Sequence, residues 1–251
     1  MSPRPSTVST SRRKRRNAVV AGAVAAALLA GSGVAWAFTA KSPETSASAA
    51  VTGPLVVPAH ASGTDGTVIT YGKADAPNTV SVYEDMRCPF CERFETALGP
   101  TLTAMADQGK LKIDFHMAAF LDKSLGGKGS KTALAALGAA LNESPEKFKQ
   151  YHDVLYKAQP EEESTDTYGS TATLLELANK VDGLRTPAFN KAVKEGTYLP
   201  WAQKVADAFY DSDVTGTPTV KVDGTRIGVI GQDREPIPVA QFTAQVEAAL
   251  K

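Results

Sequence analysis

From residue 67 onward the apolar and polar positions fall into short blocks with two different periods. Thr67-Val68-Ile69-Thr70-Tyr71 and residues 79–84 are β-branched and alternating, the pattern of half-buried strands. Pro77-Asn78, ahead of the second block, is turn chemistry. Past Cys91 the period lengthens. Phe94, Leu98, Leu102 and Met105 stand at i, i+4, i+8 and i+11, one face of a helix. Gly99-Pro100 interrupts that helix and is expected to kink or split it, and Gly109 ends it. Residues 111–117 read as a third strand. The pattern from 124 to about 213 is helical. Leu134, Leu137 and Leu141 share a face, and Ser144-Pro145 is a cap followed by proline at the first helical position, opening a helix to about Ala158. Residues 171–182 and 187–210 give two more, with Gly183 and Gly196 as punctuation. The acidic run Glu161-Glu162-Glu163 reads as a solvated loop. Strands return at 219–222 and 225–230 around Asp223-Gly224, a strong hairpin turn signal, and a helix follows over 239–250.

Strand, strand, helix, strand, helical block, hairpin, helix is an α/β order. It predicts a mixed sheet flanked by packed helices, with an all-helical insertion at about 124–213.

The N-terminal pattern is of another kind. Arg12-Arg13-Lys14-Arg15-Arg16 precedes an uncharged run over 17–40. At about 1.5 Å per residue that run makes roughly 36 Å of helix, enough for a hydrocarbon core of about 30 Å. The basic cluster is expected to stay in the cytoplasm, which leaves everything after it outside. We read residues 1–16 as a cytoplasmic segment and 17–40 as an N-terminal hydrophobic helix anchoring the protein in the membrane. The competing reading is a signal peptide cleaved near Ala37: the strongly apolar part spans only 18–30, Gly31-Ser32-Gly33 breaks it, and Ala35-Trp36-Ala37 has the small-x-small form of a cleavage site. The paired arginines lack the closely following apolar residues of a twin-arginine signal. Either way the remainder is exported. Residues 41–66, rich in Ser, Ala, Thr, Pro and Gly, read as a flexible linker. Leu55-Val56-Val57 reads as loop rather than strand, and His60 as an exposed linker histidine.

Composition narrows the class. Hydrophobic residues at 43% and charged residues at 22% exclude wholesale disorder. The formal charge is zero, but residues 1–40 hold six basic and no acidic residues, so residues 41–251 carry 21 basic against 27 acidic. A body of net charge −6 argues against nucleic-acid binding. Two cysteines exclude a disulfide-stapled fold, and with three histidines they exclude a two-site zinc module. No metal or other cofactor is expected.

The chemistry concentrates in Cys88-Pro89-Phe90-Cys91. Cysteines three apart at a helix start share a face about one turn apart. Cys88 sits where amides lack partners and the helix dipole is positive, so its thiolate is stabilised below the free value of about 8.5. Cys91, one turn further in, is expected to be more buried and less acidic. Cys88 then forms the mixed disulfide and Cys91 resolves it. A structural disulfide would close too short a loop to stabilise much. Half of a metal site would lack its second half in the nearby sequence, since His116 and His152 approach only through the fold. A second signal, Gly216-Thr217-Pro218-Thr219, stands just before a strand, where proline is tolerated.

Together, Tyr83-Glu84-Asp85-Met86-Arg87-Cys88-Pro89-Phe90-Cys91, the helical insertion, Val214-Thr215-Gly216-Thr217-Pro218-Thr219 and the Asp223-Gly224 hairpin resemble the DsbA-like branch of the thioredoxin superfamily, over about residues 67–250. The resemblance implies a thioredoxin-like fold and a thiol–disulfide oxidoreductase. It matches Cys88 and Cys91 to the redox pair, Pro218 to a cis-proline facing them, and Thr217 to the residue whose backbone holds the substrate. It makes Pro89 and Phe90 tuners of Cys88. Exported protein thiols and disulfides would be the substrates, and a membrane or extracytoplasmic redox partner would recycle the pair.

The sequence also departs from the family pattern. Strongly oxidising members carry a histidine between the cysteines, where this chain has Pro-Phe. Many relatives place a buried proton-moving carboxylate six positions before the first cysteine, where this chain has Val82. Glu84 and Asp85 are candidate substitutes, against the simpler reading of solvated loop carboxylates. His116 reads as a structural histidine rather than a relay. We expect a dithiol oxidase. A membrane-tethered reductase or isomerase is the alternative, and a non-catalytic thioredoxin-fold binding module is a third reading, disfavoured by the intact cysteine pair and Thr-Pro loop. No histidine or methionine cluster supports copper handling.

Overall fold

The computed structural model describes residues 53–250. Its sheet is built on β3 (Thr79–Asp85) and β4 (Lys112–Ala118), which run parallel with Val80 opposite Ile113 and Tyr83 opposite His116. Alternation sorts both strands. Val80, Val82, Ile113, Phe115 and Met117 are buried in the main core, while Tyr83 turns to a smaller cluster with Ala118, Phe209 and Val214. β2 (Val68–Tyr71) adds antiparallel to β4, and β1 (Ala61–Ser62) to β2. On the other side β5 (Thr219–Val222) runs antiparallel to β3, and β6 (Thr225–Ile227) closes the hairpin. The order is β1-β2-β4-β3-β5-β6. Asp223 and Gly224 both have positive φ, as the two-residue turn demands.

The parallel β3–β4 connection is helical, and Gly99-Pro100 splits it as expected into α1 (Pro89–Ala97) and α2 (Gly99–Asp107). Phe94, Leu98, Leu102 and Met105 are all buried. The insertion holds α3 (Phe120–Ser124), α4 (Gly129–Glu143), α5 (Pro145–Lys157), α6 (Thr171–Ala178), α7 (Pro187–Glu195) and α8 (Leu199–Tyr210); α9 (Val239–Ala249) follows the hairpin. Ser144 caps α5, its hydroxyl accepting from the Lys147 N–H at 3.1 Å, with Pro145 at the first position. The stretch 187–210, read as one helix with a glycine in it, is two, because Gly196 at φ +66° terminates α7.

The expected linker, 41–66, is described only from residue 53, and its end is partly built into the fold. Ala61–Ser62 pairs with β2, Ala59 N–H donates to Asn142 Oδ1 at 3.1 Å, and Trp201 Nε1 donates to Gly66 O at 2.7 Å. Leu55, Val56 and Val57 form no strand and are exposed. The hydrophobic segment 17–40, read as anchor or signal, lies outside the described residues. Among those described, no helix is long and apolar enough to cross a membrane.

Candidate active site

The site begins where β3 leaves the sheet. Met86 and Arg87 turn the chain, and Cys88 takes the cap position of α1 with extended backbone (φ −77°, ψ 117°). Pro89 fills the first helical position, where a missing N–H leaves nothing unpaired. The Cys88 carbonyl accepts from the Cys91 and Glu92 N–H groups at 3.1 Å each, so the helix starts on the cysteine itself.

The two free thiols differ sharply. Cys88 is 6% exposed and Cys91 not at all. The Cys88 thiol is lowered from 9.0 to about 7, first because Cys91 hydrogen-bonds to it; burial opposes this, and the Thr217 side chain and the Cys91 and Phe90 amides add to it. The sequence points to the helix start, with Pro89 and Phe90 as tuners, whereas here the largest source is the second thiol. Cys91 is pushed well above 9.0 by burial, then by Cys88 and by the negative charge of Glu84.

The Thr217–Pro218 bond is cis, and Thr217 stands against the cysteines across 129 positions of sequence: the Cys88 thiol donates to the Thr217 carbonyl at 3.6 Å. Half-buried Phe90 has two guanidinium groups over its ring, Arg93 at 5.4 Å and Arg234 at 5.1 Å from the ring centre. Gln159 of the insertion donates to Met86 O at 2.8 Å and Cys88 O at 3.4 Å. The structure thus gathers Cys88, Pro89, Phe90, Cys91 and the Thr217–Pro218 peptide at one place.

Glu84 and Asp85 are both fully buried, not solvated loop carboxylates, and they diverge. Asp85 is fully engaged with donors: Oδ1 accepts from Arg87 N–H at 3.0 Å and Ser130 Oγ at 2.6 Å, and Oδ2 from Leu121 N–H at 3.2 Å. Burial raises its carboxyl to about 6 despite these bonds. It ties the turn before Cys88 to the insertion. Glu84 faces His152, with Oε1 2.6 Å from Nε2. His116 stacks on Tyr83 at 4.4 Å, away from the cysteines.

Sequence reasoning missed Arg87, Glu95, Lys149 and His152. All are buried polar residues. The signal was present for two of them. Phe148, Tyr151, His152 and Leu155 share one helical face, and Glu95 adjoins Phe94 on the buried side of α1, so both are ionisable groups on apolar faces.

A sheet that sets an asymmetric Cys-x-x-Cys at a helix start, faced by a cis-proline loop, defines the class: a thioredoxin-fold thiol–disulfide oxidoreductase. The family model for thioredoxin matches residues 64–248. The chain is 28% identical over 153 residues to disulfide bond formation protein D of Bacillus subtilis, covering 61% of this chain and 66%, just under two thirds, of that protein. It is 26% identical to the thiol:disulfide interchange protein DsbL of Lelliottia amnigena, covering 70% of this chain and 82% of that one. The structure of DsbA from Mycobacterium tuberculosis superposes with a TM-score of 0.60 at 27% identity, covering 73% of this chain and 92% of that one. The chain belongs to the thioredoxin family, in its DsbA-like branch.

Proposed function

We propose that this chain forms disulfide bonds in exported proteins, as a dithiol oxidase working outside the cytoplasmic membrane. The carrying observation is the asymmetry of the pair: a Cys88 thiol lowered to about 7 beside a Cys91 thiol raised well above 9.0. That asymmetry makes Cys88 the thiol of the mixed disulfide and Cys91 its partner, as in any exchange pair of this fold, since thioredoxin's attacking thiol also lies at about 7. The oxidative direction is drawn from the printed names of the relatives, disulfide bond formation and thiol:disulfide interchange.

In this reading an extended substrate segment lies along the Thr217 backbone. Its thiolate attacks Cys88 Sγ of the oxidised pair, the Cys88–Cys91 bond breaks, and Cys91 leaves with the electron pair and takes up a proton. A second substrate thiolate then attacks the substrate sulfur of the mixed disulfide and expels Cys88 as thiolate. The substrate is oxidised by two electrons, and a recycling partner reoxidises the pair. Phe90 stands where the strongest oxidants of the family carry an imidazole, so Cys88 has no cationic partner between the cysteines. Export rests on the basic cluster and the uncharged run of residues 12–40, with retention by that run or release after Ala37.

The test is the reduction potential together with oxidation of a reduced, unfolded test protein. A potential well above thioredoxin's, about −270 mV, with net disulfide formation, is expected. A value at or below it, with no disulfides formed, overturns the oxidase reading in favour of a reductase.

A further inference from the structure

Phe90, two residues after Cys88, carries the guanidinium groups of Arg93 and Arg234 over one ring, at 5.4 and 5.1 Å from its centre. Arg93 belongs to α1, whereas Arg234 arrives from the loop between β6 and α9. That loop is fixed by its own backbone. Gly231 N–H donates to Glu235 O at 2.7 Å, Arg234 N–H to Gly231 O at 3.1 Å, and Ile237 N–H to Val229 O at 3.0 Å. Arg234 holds φ +68°; among the described residues the other non-glycine with positive φ is Asp223, in the hairpin turn. An arginine in that conformation is strained where a glycine would not be. α1 grips the loop at the same residue: Arg93 Nη1 donates to the Arg234 carbonyl at 2.9 Å and to Glu235 Oε1 at 3.3 Å.

The carboxylates next to these arginines in sequence are engaged elsewhere. Glu235 meets Arg93, Asp233 Oδ1 accepts from the Glu235 N–H at 3.1 Å, and Glu92 Oε1 accepts from the Thr96 hydroxyl at 3.0 Å. The Arg234 guanidinium, exposed and carrying five donors, has no ion pair and no hydrogen bond among the described residues. One arginine on the Phe90 ring would supply the cation–π attraction. A second brings like charge against like charge, and no carboxylate of the protein offsets it at Arg234. The Phe90 rim is thereby positive, on a body that carries net −6 over residues 41–251. The ring backs the Arg234 guanidinium, and its fork, which suits a carboxylate by two parallel bonds, is spent on no protein group.

We propose that Arg234 is a specificity residue of the exchange site, receiving the carboxylate of an Asp or Glu side chain that flanks the reacting cysteine of a client; this deepens the thiol–disulfide reading above and rests on it. Cys88 takes the client sulfur, and the client segment runs along the Thr217 backbone, whose carbonyl lies 3.6 Å from Cys88 Sγ. An extended segment advances about 3.3 Å per residue, so a side chain one or two positions from the client cysteine projects close beside it. Phe90 stands on the first turn of α1 with Cys88, so the guanidinium on its ring borders those same few client residues. A client carboxylate there also offsets the repulsion that the protein leaves uncompensated between Arg93 and Arg234. Lysines flanking the cysteine meet the wrong sign and are disfavoured. Arg93 acts through the Arg234 carbonyl and Glu235 and is a positioning residue. The bonds made and broken are those of the exchange already described; the arginine selects which client thiol reaches Cys88.

The test uses the full chain, oxidised, and end-blocked peptides of one sequence with Glu, Gln or Lys on both sides of a single cysteine. The rate at which each peptide reduces the Cys88–Cys91 bond is divided by that peptide's thiolate fraction, because a flanking charge shifts the thiol. In the wild type the Glu peptide should outpace the Gln peptide about 3–10-fold at low salt, the reach of one or two exposed charge pairs, with the Lys peptide slower than both and the preference fading at about 0.5 M salt. Arg234→Gly suits the positive φ and removes the side chain, so its Glu-to-Gln ratio should fall to about 1. Arg234→Lys, a charge without the fork, should fall between, and Arg93→Gln should lower the ratio in part. The ratio is read within each variant, so a general loss of activity cancels, and a merely structural role would slow all three peptides alike. A wild type indifferent to flanking charge or faster with Lys, or a wild-type ratio in Arg234→Gly, overturns the inference while the thiol–disulfide reading stands, because the peptides still exchange. If neither peptides nor protein thiols exchange with the chain, that reading fails and the inference with it.

Discussion

Arg87 is the residue whose removal tests how the site is held. It precedes Cys88, is buried, and ties the turn to three parts of the insertion. Its Nη1 lies 3.3 Å from Asp122 Oδ1 and 3.6 Å from Asp166 Oδ1 and donates to Gly126 O at 2.7 Å; its Nη2 donates to Glu163 O at 3.2 Å. The Asp122 pair is desolvated on both sides, with side chains 3% and 5% exposed, whereas Asp166 is 32% exposed and its share is screened. Breaking a buried pair costs about 3–5 kcal/mol. Asp122 keeps its Ser130 and Lys131 N–H donors at 2.8 and 3.0 Å, which argues for the lower end, about 3 kcal/mol. At about 2–4 °C per kcal/mol for a domain of this size, Arg87→Ala should lower the melting temperature by about 6–12 °C. Arg87→Lys, a point charge without the planar fork, should fall between. Thermal denaturation of the reduced protein at pH 7, followed by circular dichroism, measures this. A drop under about 2 °C would refute the argument, because it would mean that the pair and its carbonyl bonds contribute no more than their hydrated counterparts.

Two further outcomes follow from the titratable groups. Iodoacetamide labelling against pH should give a Cys88 midpoint near 7 in Cys91→Ser, whose hydroxyl still donates, and a higher one in Cys91→Ala; equal midpoints would remove Cys91 as the main cause. His152 is raised from 6.5 to about 9, so its contribution to stability is complete below pH 6.5 and lost as pH rises through 9, on the order of 3 kcal/mol by linkage. Urea unfolding at pH 6.5 and 9 should show that loss in the wild type and a flatter response in His152→Gln; the same decline in both would show that His152 is not its source.

Much of this was legible because it is local. Strand alternation, the Gly99-Pro100 break, the Ser144-Pro145 cap and the Asp223-Gly224 turn are each decided by a few neighbouring residues, and each stands where the pattern put it. The exchange pair could be read because two cysteines three apart carry their chemistry in the spacing. What failed was tertiary. Whether Glu84 and Asp85 face water or protein depends on an insertion whose docking has no local signature. Residues 58–66 look like linker by composition, yet Pro58 is buried and Ala61–Ser62 forms an edge strand of the sheet. The partners of Arg87 lie 35 and 79 positions away, beyond any periodicity.

The direction of Glu84 follows from the strand itself. Side chains alternate along β3, so Tyr83 goes to the small cluster under α8 while Val82 and Glu84 share the face that meets α1 and α5. Where many relatives place a carboxylate at position 82, this chain has an alkyl group, and the carboxylate stands two residues on, on the same face and nearer the cysteines. A carboxylate displaced along the strand meets different neighbours. At that height it is opposite α5, so it meets an imidazole and, through it, Asp153 at the surface. Burial and Cys88 first, then the charge of Glu84, raise the Cys91 thiol, so the insertion that packs on Glu84 shapes the surroundings of a group that acts on Cys91. On that argument a change in how α5 packs on β3 alters the chemistry of Cys91 even if Cys88, Phe90 and the Thr217 loop do not move.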